Sequence, residues 1–160
     1  MNIRAHWVRF ALGLSLLSAT GWLSACASTN ANNAQAQARV HTELAARYYQ
    51  AGQVAVAVQE AQIALDSDAG YVPGHTLLAL IYAQLRQNAQ ADAHFRQALS
   101  LSEAQRLPTS DLRNSYAWYL CQTDRMAQGL NELSPVLRDP LYGSLDKALV
   151  NASVCAARLE

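Results

Sequence analysis

Residues 41–64 read HTELAARYYQAGQVAVAVQEAQIA, and residues 75–98 read HTLLALIYAQLRQNAQADAHFRQA. The two stretches align without a gap, at a 34-residue spacing. The paired positions are His41/His75, Leu44/Leu78, Ala45/Ala79, Tyr48/Tyr82, Ala57/Ala91, Ala61/Phe95 and Ala64/Ala98. Self-similarity at a fixed period indicates a repeat protein, in which each unit buries its apolar face against its neighbours.

Each unit has the pattern of two helices. Leu44, Tyr48 and Ala51 share one helical face, and Gly52 then provides a residue that accepts a positive φ at a helix end. Gly and Pro are scarce, at seven and four residues, and the many Ala and Gln residues favour helix. The Leu-Ala-x-x-Tyr pattern followed by spaced alanines resembles the tetratricopeptide (TPR) family. The resemblance implies an all-α fold of helical hairpins stacked in a short right-handed superhelix.

Two further units follow, with a change in spacing. The third unit, around Tyr116, Ala117 and Leu120, follows the second at a 38-residue spacing, so four extra residues lie near 106–109. A fourth unit begins near Asp146 and contains only a first helix in this sequence. We therefore expect a TPR domain over residues 38–160, with repeats at about 38–71, 72–105 and 110–143 and a partial repeat at 146–160.

The N-terminus has the features of an export signal. Residues 1–9 are basic without an acid, and residues 10–23 form an uncharged, mainly apolar run. This run is shorter than the roughly 20 residues that span a membrane, so residues 1–25 are interpreted as a cleaved signal peptide. Leu23-Ser24-Ala25-Cys26 resembles the bacterial lipobox, which implies lipidation of Cys26. The alternative is an ordinary signal peptide that happens to precede a cysteine.

The lipobox resemblance also implies a location. Residue 27 is Ala and not Asp, which in the sorting rule of enteric bacteria favours the outer membrane, with the protein anchored at its periplasmic face. Residues 26–37 (CASTNANNAQAQ) are small, polar and uncharged. They are expected to form a lipidated flexible tether of about 18–20 Å r.m.s. length. The alternative is that the last of these residues extend the first helix.

Beyond the general TPR pattern, the chain resembles the type IV pilus biogenesis lipoproteins that act as pilotins of the outer-membrane secretin. The resemblance rests on residues 38–40 (ARV), 114–121 (NSYAWYLC) and 139–142 (DPLY), followed by Asn151 and Cys155. It implies binding of secretin subunits and promotion of their outer-membrane localisation and multimerisation. The alternatives are a generic envelope scaffold that recruits other periplasmic proteins, and a truncated family member, because family members usually continue for further repeats.

The first helix of each repeat lines the concave face of a TPR stack, and this face is the expected partner-binding groove. Exposed aromatic side chains commonly anchor a bound partner. The expected groove residues are Tyr49, Gln50, Leu80, Gln84, Asn114 and Trp118. For Trp118 the alternative is that its ring packs under the fourth repeat.

Cys121 and Cys155 share the 34-residue spacing and lie on the first helices of adjacent repeats. Because the export signal implies an oxidising compartment, we expect them to form a disulfide. The alternative is a pair of small buried thiols.

Charge and motifs exclude several classes of function. Twelve Lys and Arg balance twelve Asp and Glu, so the chain lacks the basic surface of a nucleic-acid-binding protein. It contains no phosphate-binding loop, nucleophile elbow or zinc-protease motif, and an enzyme is not expected. His41 and His75 occupy equivalent repeat positions and are interpreted as interface residues, not metal ligands. We expect no metal, no cofactor and no small-molecule substrate.

Overall fold

A computed structural model describes residues 22–159, with side chains from residue 30 onward. Residues 22–159 contain helices and no strand. The helices are α1 (Trp22–Gln50), α2 (Val54–Ser67), α3 (Val72–Gln84), α4 (Asn88–Ala104), α5 (Ser110–Gln122), α6 (Met126–Val136) and α7 (Leu145–Ala157).

The helices form three antiparallel hairpins and one single helix. The pairs α1/α2, α3/α4 and α5/α6 each pack closely, and α7 lies against α6 and α5. The first helices of the hairpins are α1, α3 and α5, and α7 occupies the first-helix position of a fourth unit. The all-α, TPR-like fold expected from the sequence is therefore confirmed.

Each hairpin turns at an equivalent residue with a positive φ. The residues are Gly52 (75°), Arg86 (60°) and Asp124 (59°). In each turn the backbone N–H of the next residue donates to a carbonyl five residues earlier, which caps the last turn of the first helix. These bonds are Gln53 N to Tyr48 O, Gln87 N to Tyr82 O and Arg125 N to Leu120 O, each 2.9 Å long.

The four extra residues between the second and third repeats have a defined structural effect. Helix α4 has 17 residues, three more than the 14 of α2. The connection that follows α4, residues 105–109, is one residue longer than the connection at 68–71. As a result α3 and α5 are held apart, whereas α1 packs on α3 and α5 packs on α7.

The core between the second and third hairpins is aromatic. Phe95 is fully buried, and its ring centroid lies 5.0 Å from that of Tyr116 and 5.4 Å from that of Tyr119. The Tyr116 hydroxyl donates to Asp92, which also accepts from Arg125. Burial alone would raise the pKa of Asp92, but these hydrogen bonds outweigh it and hold the pKa below its usual range. Burial, followed by the bond to Asp92, raises the pKa of Tyr116.

The N-terminal part of α1 differs from the sequence-based expectation. Residues 26–37 were expected to be a flexible tether, with the alternative that the last of them extend the first helix. The structure agrees with the alternative and continues α1 through the whole segment. The segment contains four Ala, which favour helix, and neither Gly nor Pro to interrupt it. Most of the expected signal peptide, residues 1–21, lies outside the described residues. Within the part that is described, no helix is both long and apolar enough to cross a membrane.

Candidate protein-binding groove

The expected groove residues of the first two hairpins meet near the ends of their helices. Tyr49 of α1 is half-buried, and its hydroxyl donates a hydrogen bond to Oε1 of Gln84 on α3. Gln50 and Gln84 are exposed. The structure therefore brings Tyr49 and Gln84 together, which ties the first helices of adjacent hairpins to each other.

An apolar cleft lies where α3 and α5 are held apart, and we call it the aliphatic cleft. Its volume is about 390 Å³, and Leu80, with 38% of its surface exposed, lies in its wall. Leu107 and Pro108 of the lengthened connection form another part of the wall. The remaining lining residues are Val72, Pro73, Thr76, Leu77, Ser102, Asp111, Leu112 and Ser115.

A second cleft lies between α5 and α7, and we call it the amide cleft. Its volume is about 380 Å³. Nδ2 of Asn151 donates to Oδ1 of Asn114 at 2.9 Å across the cleft. Trp118 lines the cleft and keeps 37% of its surface exposed, so α7 flanks the ring without covering it. The other lining residues are Ser115, Asp146, Lys147 and Val150.

The two clefts adjoin on one face of α5, because Ser115 lines both. Three of the expected groove residues, Leu80, Asn114 and Trp118, therefore lie along one surface. Tyr49, Gln50 and Gln84 line neither cleft. Sequence reasoning missed Leu107 and Pro108 as groove residues. The signal that could have found them was the position of the four-residue insertion.

The disulfide fixes one wall of the amide cleft. Cys121 and Cys155 are joined in the structure with a Cα–Cα distance of 5.4 Å, and both are fully buried. Nη1 of Arg158, just after α7, also donates to the backbone oxygen of Cys121 at 2.8 Å. These links hold α7 beside α5 and so place Asn151 opposite Asn114.

The histidines that share the 34-residue spacing contact protein groups. Nδ1 of His41 lies 2.7 Å from Oε2 of Glu60, and Nδ1 of His75 lies 3.0 Å from Nδ1 of His94. Burial, together with the charge on His75, lowers the pKa of His94. Among the residues described, no group of three His, Cys, Asp or Glu side chains is placed to hold a metal ion. The side chain of Cys26 lies outside the described side chains, and its lipidation stays a prediction.

The chain matches no protein-family model. It is 29% identical over 135 residues to an uncharacterized protein of Haemophilus influenzae, covering 83% of this chain and 73% of that protein. It is also similar to the crystal structure of PilW, described as a widely conserved type IV pilus biogenesis factor, with a TM-score of 0.71 and 29% identity over 76% of this chain.

A second solved structure, PilF of Pseudomonas aeruginosa, has a TM-score of 0.73 at 20% identity over 79% of this chain, and shows the shared fold alone. The matches cover 54% of the PilW chain and 55% of the PilF chain, so this chain spans about half the length of the solved proteins it resembles. The described helices are similar in fold to both solved proteins, and the sequence is also similar to that of PilW, the type IV pilus biogenesis factor.

Proposed function

We propose that this protein is an outer-membrane TPR lipoprotein of type IV pilus biogenesis. In this proposal it binds secretin subunits through the groove and promotes their outer-membrane localisation and multimerisation. The observation that carries the proposal is the similarity to PilW in both sequence and fold, at 29% identity and a TM-score of 0.71. The lipobox-like Leu23-Ser24-Ala25-Cys26 supports the membrane anchor.

The surface of the first helices supports binding of a protein partner. Leu80 and Trp118 are apolar side chains with more than a third of their surface exposed, and both lie in clefts on that surface. An apolar centre surrounded by a polar rim is the usual composition of a protein-binding surface. The rim here consists of Asn114, Asn151 and Ser115.

Deletion of the gene, followed by complementation, tests the role. We expect the deletion to abolish surface pili and to leave the secretin as monomers instead of SDS-resistant multimers. Complementation with Leu80→Asp should restore neither, because the charge lies in the groove. Ile63→Asp should restore both, because Ile63 is similarly exposed, at 41%, but lies on α2, outside the groove. Normal piliation and normal secretin multimers in the deletion strain would contradict the proposal.

The anchor is tested separately. Mass spectrometry of the mature N-terminus should find an acylated Cys26, and membrane fractionation should find the protein in the outer membrane. Cys26→Ser removes the thiol that accepts the lipid and should abolish acylation. An unmodified Cys26 in the wild-type protein would refute lipidation, whatever the result for piliation.

A further inference from the structure

The two clefts differ in chemistry, and their difference restricts what can bind across them. The aliphatic cleft carries a single charged lining residue, Asp111, among aliphatic and small polar side chains. The amide cleft carries Asp146, Lys147, two asparagines and one exposed indole ring. A partner segment that lies across both therefore meets an apolar site first and a hydrogen-bonding site next to it.

From this arrangement we infer that the groove binds an extended segment of a partner protein, with an aliphatic side chain in the aliphatic cleft and its backbone at the amide pair. The inference rests on the proposed function and specifies the kind of segment that this surface takes. The surface that binds the segment is formed by α3, the lengthened connection, α5 and α7.

The amide pair favours an extended segment over a helical one. The bond from Asn151 to Asn114 uses one donor and one acceptor. One Nδ2 hydrogen of Asn114 is directed toward the Tyr142 hydroxyl, so one donor hydrogen of Asn114 and an acceptor lone pair on Oδ1 of Asn151 remain. An extended chain presents free backbone N–H and C=O groups to such a pair, whereas a helix has already satisfied most of its own.

The distance between the clefts sets a spacing for the segment. The clefts adjoin across one face of α5, one toward α3 and the other toward α7, so they are separated by about the diameter of one helix with its side chains, about 10–12 Å. An extended chain advances about 3.3 Å per residue. The residue beside Trp118 should therefore be about three positions from the aliphatic residue.

The charges on this surface favour a segment without acids. Asp111 and Asp146 lie in the two clefts, one on each side of Ser115, and Lys147 is the one basic lining residue of the two clefts. An Asp or Glu at the aliphatic position would lose its hydration beside Asp111. The segment is therefore neutral or basic.

Selection from a library of random ten-residue peptides displayed on phage, against the detergent-purified full-length protein, tests the inference. We expect enriched peptides to contain Leu, Ile, Val or Met, with a second apolar residue about three positions away, and to be depleted of Asp and Glu. No enrichment, an acid-rich consensus, or a helical i, i+4, i+7 pattern would overturn the inference.

A synthetic peptide of the enriched sequence then tests the site. The sequence contains three tryptophans. Trp7 and Trp22 lie in the expected signal peptide, so after cleavage before Cys26 the fluorescence of Trp118 alone reports occupancy of the amide cleft. We expect Leu80→Asp to weaken binding at least tenfold and Asn114→Leu to weaken it several-fold. Ile63→Asp should leave binding unchanged. Equal binding by Leu80→Asp and the control would place the peptide elsewhere and overturn the inference.

The two proposals fail separately. If the peptide binds in a Leu80-dependent way but the deletion strain makes normal pili, the proposed function fails and the inference stands. If Leu80→Asp abolishes piliation but no aliphatic peptide is enriched, the inference fails and the proposed function stands.

Discussion

The first and second hairpins place different pairs of residues at one equivalent position between their two helices. In the first hairpin the pair is His41 with Glu60, and in the second it is His75 with His94. The members of both pairs are 19 residues apart. The hairpin geometry therefore fixes where the contact forms, and the residue types decide its electrostatic character.

The third hairpin extends the comparison. Arg113 and Glu132, also 19 residues apart, form the same contact there, and Arg113 additionally bonds Glu103 of α4. The contact between His41 and Glu60 becomes an ion pair when the histidine is protonated. The contact between His75 and His94 would bring two like charges together if both rings were protonated. The contact between Arg113 and Glu132 is a permanent ion pair. Substitutions at equivalent positions can therefore distinguish the contacts that every hairpin needs for the fold from the contacts that stabilise one hairpin only.

The largest effect on the free energy of unfolding is expected at one equivalent position of α2, α4 and α6. The residues there are Ala57, Ala91 and Gly129. A Cβ at Gly129 would lie 2.9 Å from the backbone oxygen of Ala117 and closer still to the sulfur of Cys121. Gly129→Ala should therefore lower the free energy of unfolding by about 3 kcal/mol, measured by urea denaturation. Ala91→Gly, the reverse change in the second hairpin, should cost less, about 2 kcal/mol, from lost helix propensity and the loss of a buried methyl group. Equal costs would show that the third hairpin has no special need for glycine.

Removing the permanent ion pair should have the next largest effect. Arg113→Met keeps the length of the side chain but leaves Glu132 and Glu103 without their cation. The Arg113 and Glu132 side chains are only 22% and 25% exposed, so the loss should lie between that of a surface pair and a buried pair, at about 2 kcal/mol. His41→Gln in the first hairpin is the matched control and should cost less than about 1 kcal/mol. A loss for Arg113→Met no greater than that of the control would contradict this reading.

The stability that the contact between His75 and His94 gives the second hairpin should depend on pH, and a single substitution should reverse the direction of that dependence. Burial, then the charge on His75, lowers the pKa of His94, whereas an unfolded histidine titrates near 6.5. The unfolded chain then binds more protons, so this site loses stability as pH falls below about 6.5.

His94→Glu should give the second hairpin the pair of the first. The introduced carboxylate favours protonated His75, so this contact should gain stability as pH falls through the same range. Melting temperatures measured from pH 7.5 to pH 5.5 should fall less steeply for His94→Glu than for the wild type. The neutral variant His94→Gln should lie between them, and three identical slopes would contradict the assignment.

The smallest effects are expected in the hairpin turns. Arg86 adopts a φ of 60° at the position where the first hairpin has Gly52. Arg86→Gly removes a conformational cost of about 1 kcal/mol but adds unfolded-state freedom. The net gain in unfolding free energy should therefore be about 0.5 kcal/mol. Gly52→Ala should cost about 1 kcal/mol, because a Cβ there meets no atom within 4 Å and the cost is conformational. A destabilised Arg86→Gly variant would show that the arginine side chain contributes in the folded state.

Much of the architecture could be predicted because repeats encode it several times. The 34-residue spacing located the hairpins, and the shift to 38 located an insertion near residues 106–109. The structure instead places three of the four extra residues in α4 and one in the connection. The contact between His75 and His94 was missed because the partners lie on different helices of one hairpin. The recurring 19-residue separation could have revealed it. The aliphatic cleft depends on how far α3 and α5 separate, and no local pattern encodes that distance.

The disulfide between Cys121 and Cys155 has a consequence for how the array comes apart. In a linear array each unit is held mainly by its neighbours, so terminal units fray first. Helix α7 is held in the array by its contacts with α5 and α6. The covalent link makes α7 part of the third hairpin's cooperative unit, so α7 can separate from α5 only when the bond is reduced or the third hairpin opens with it.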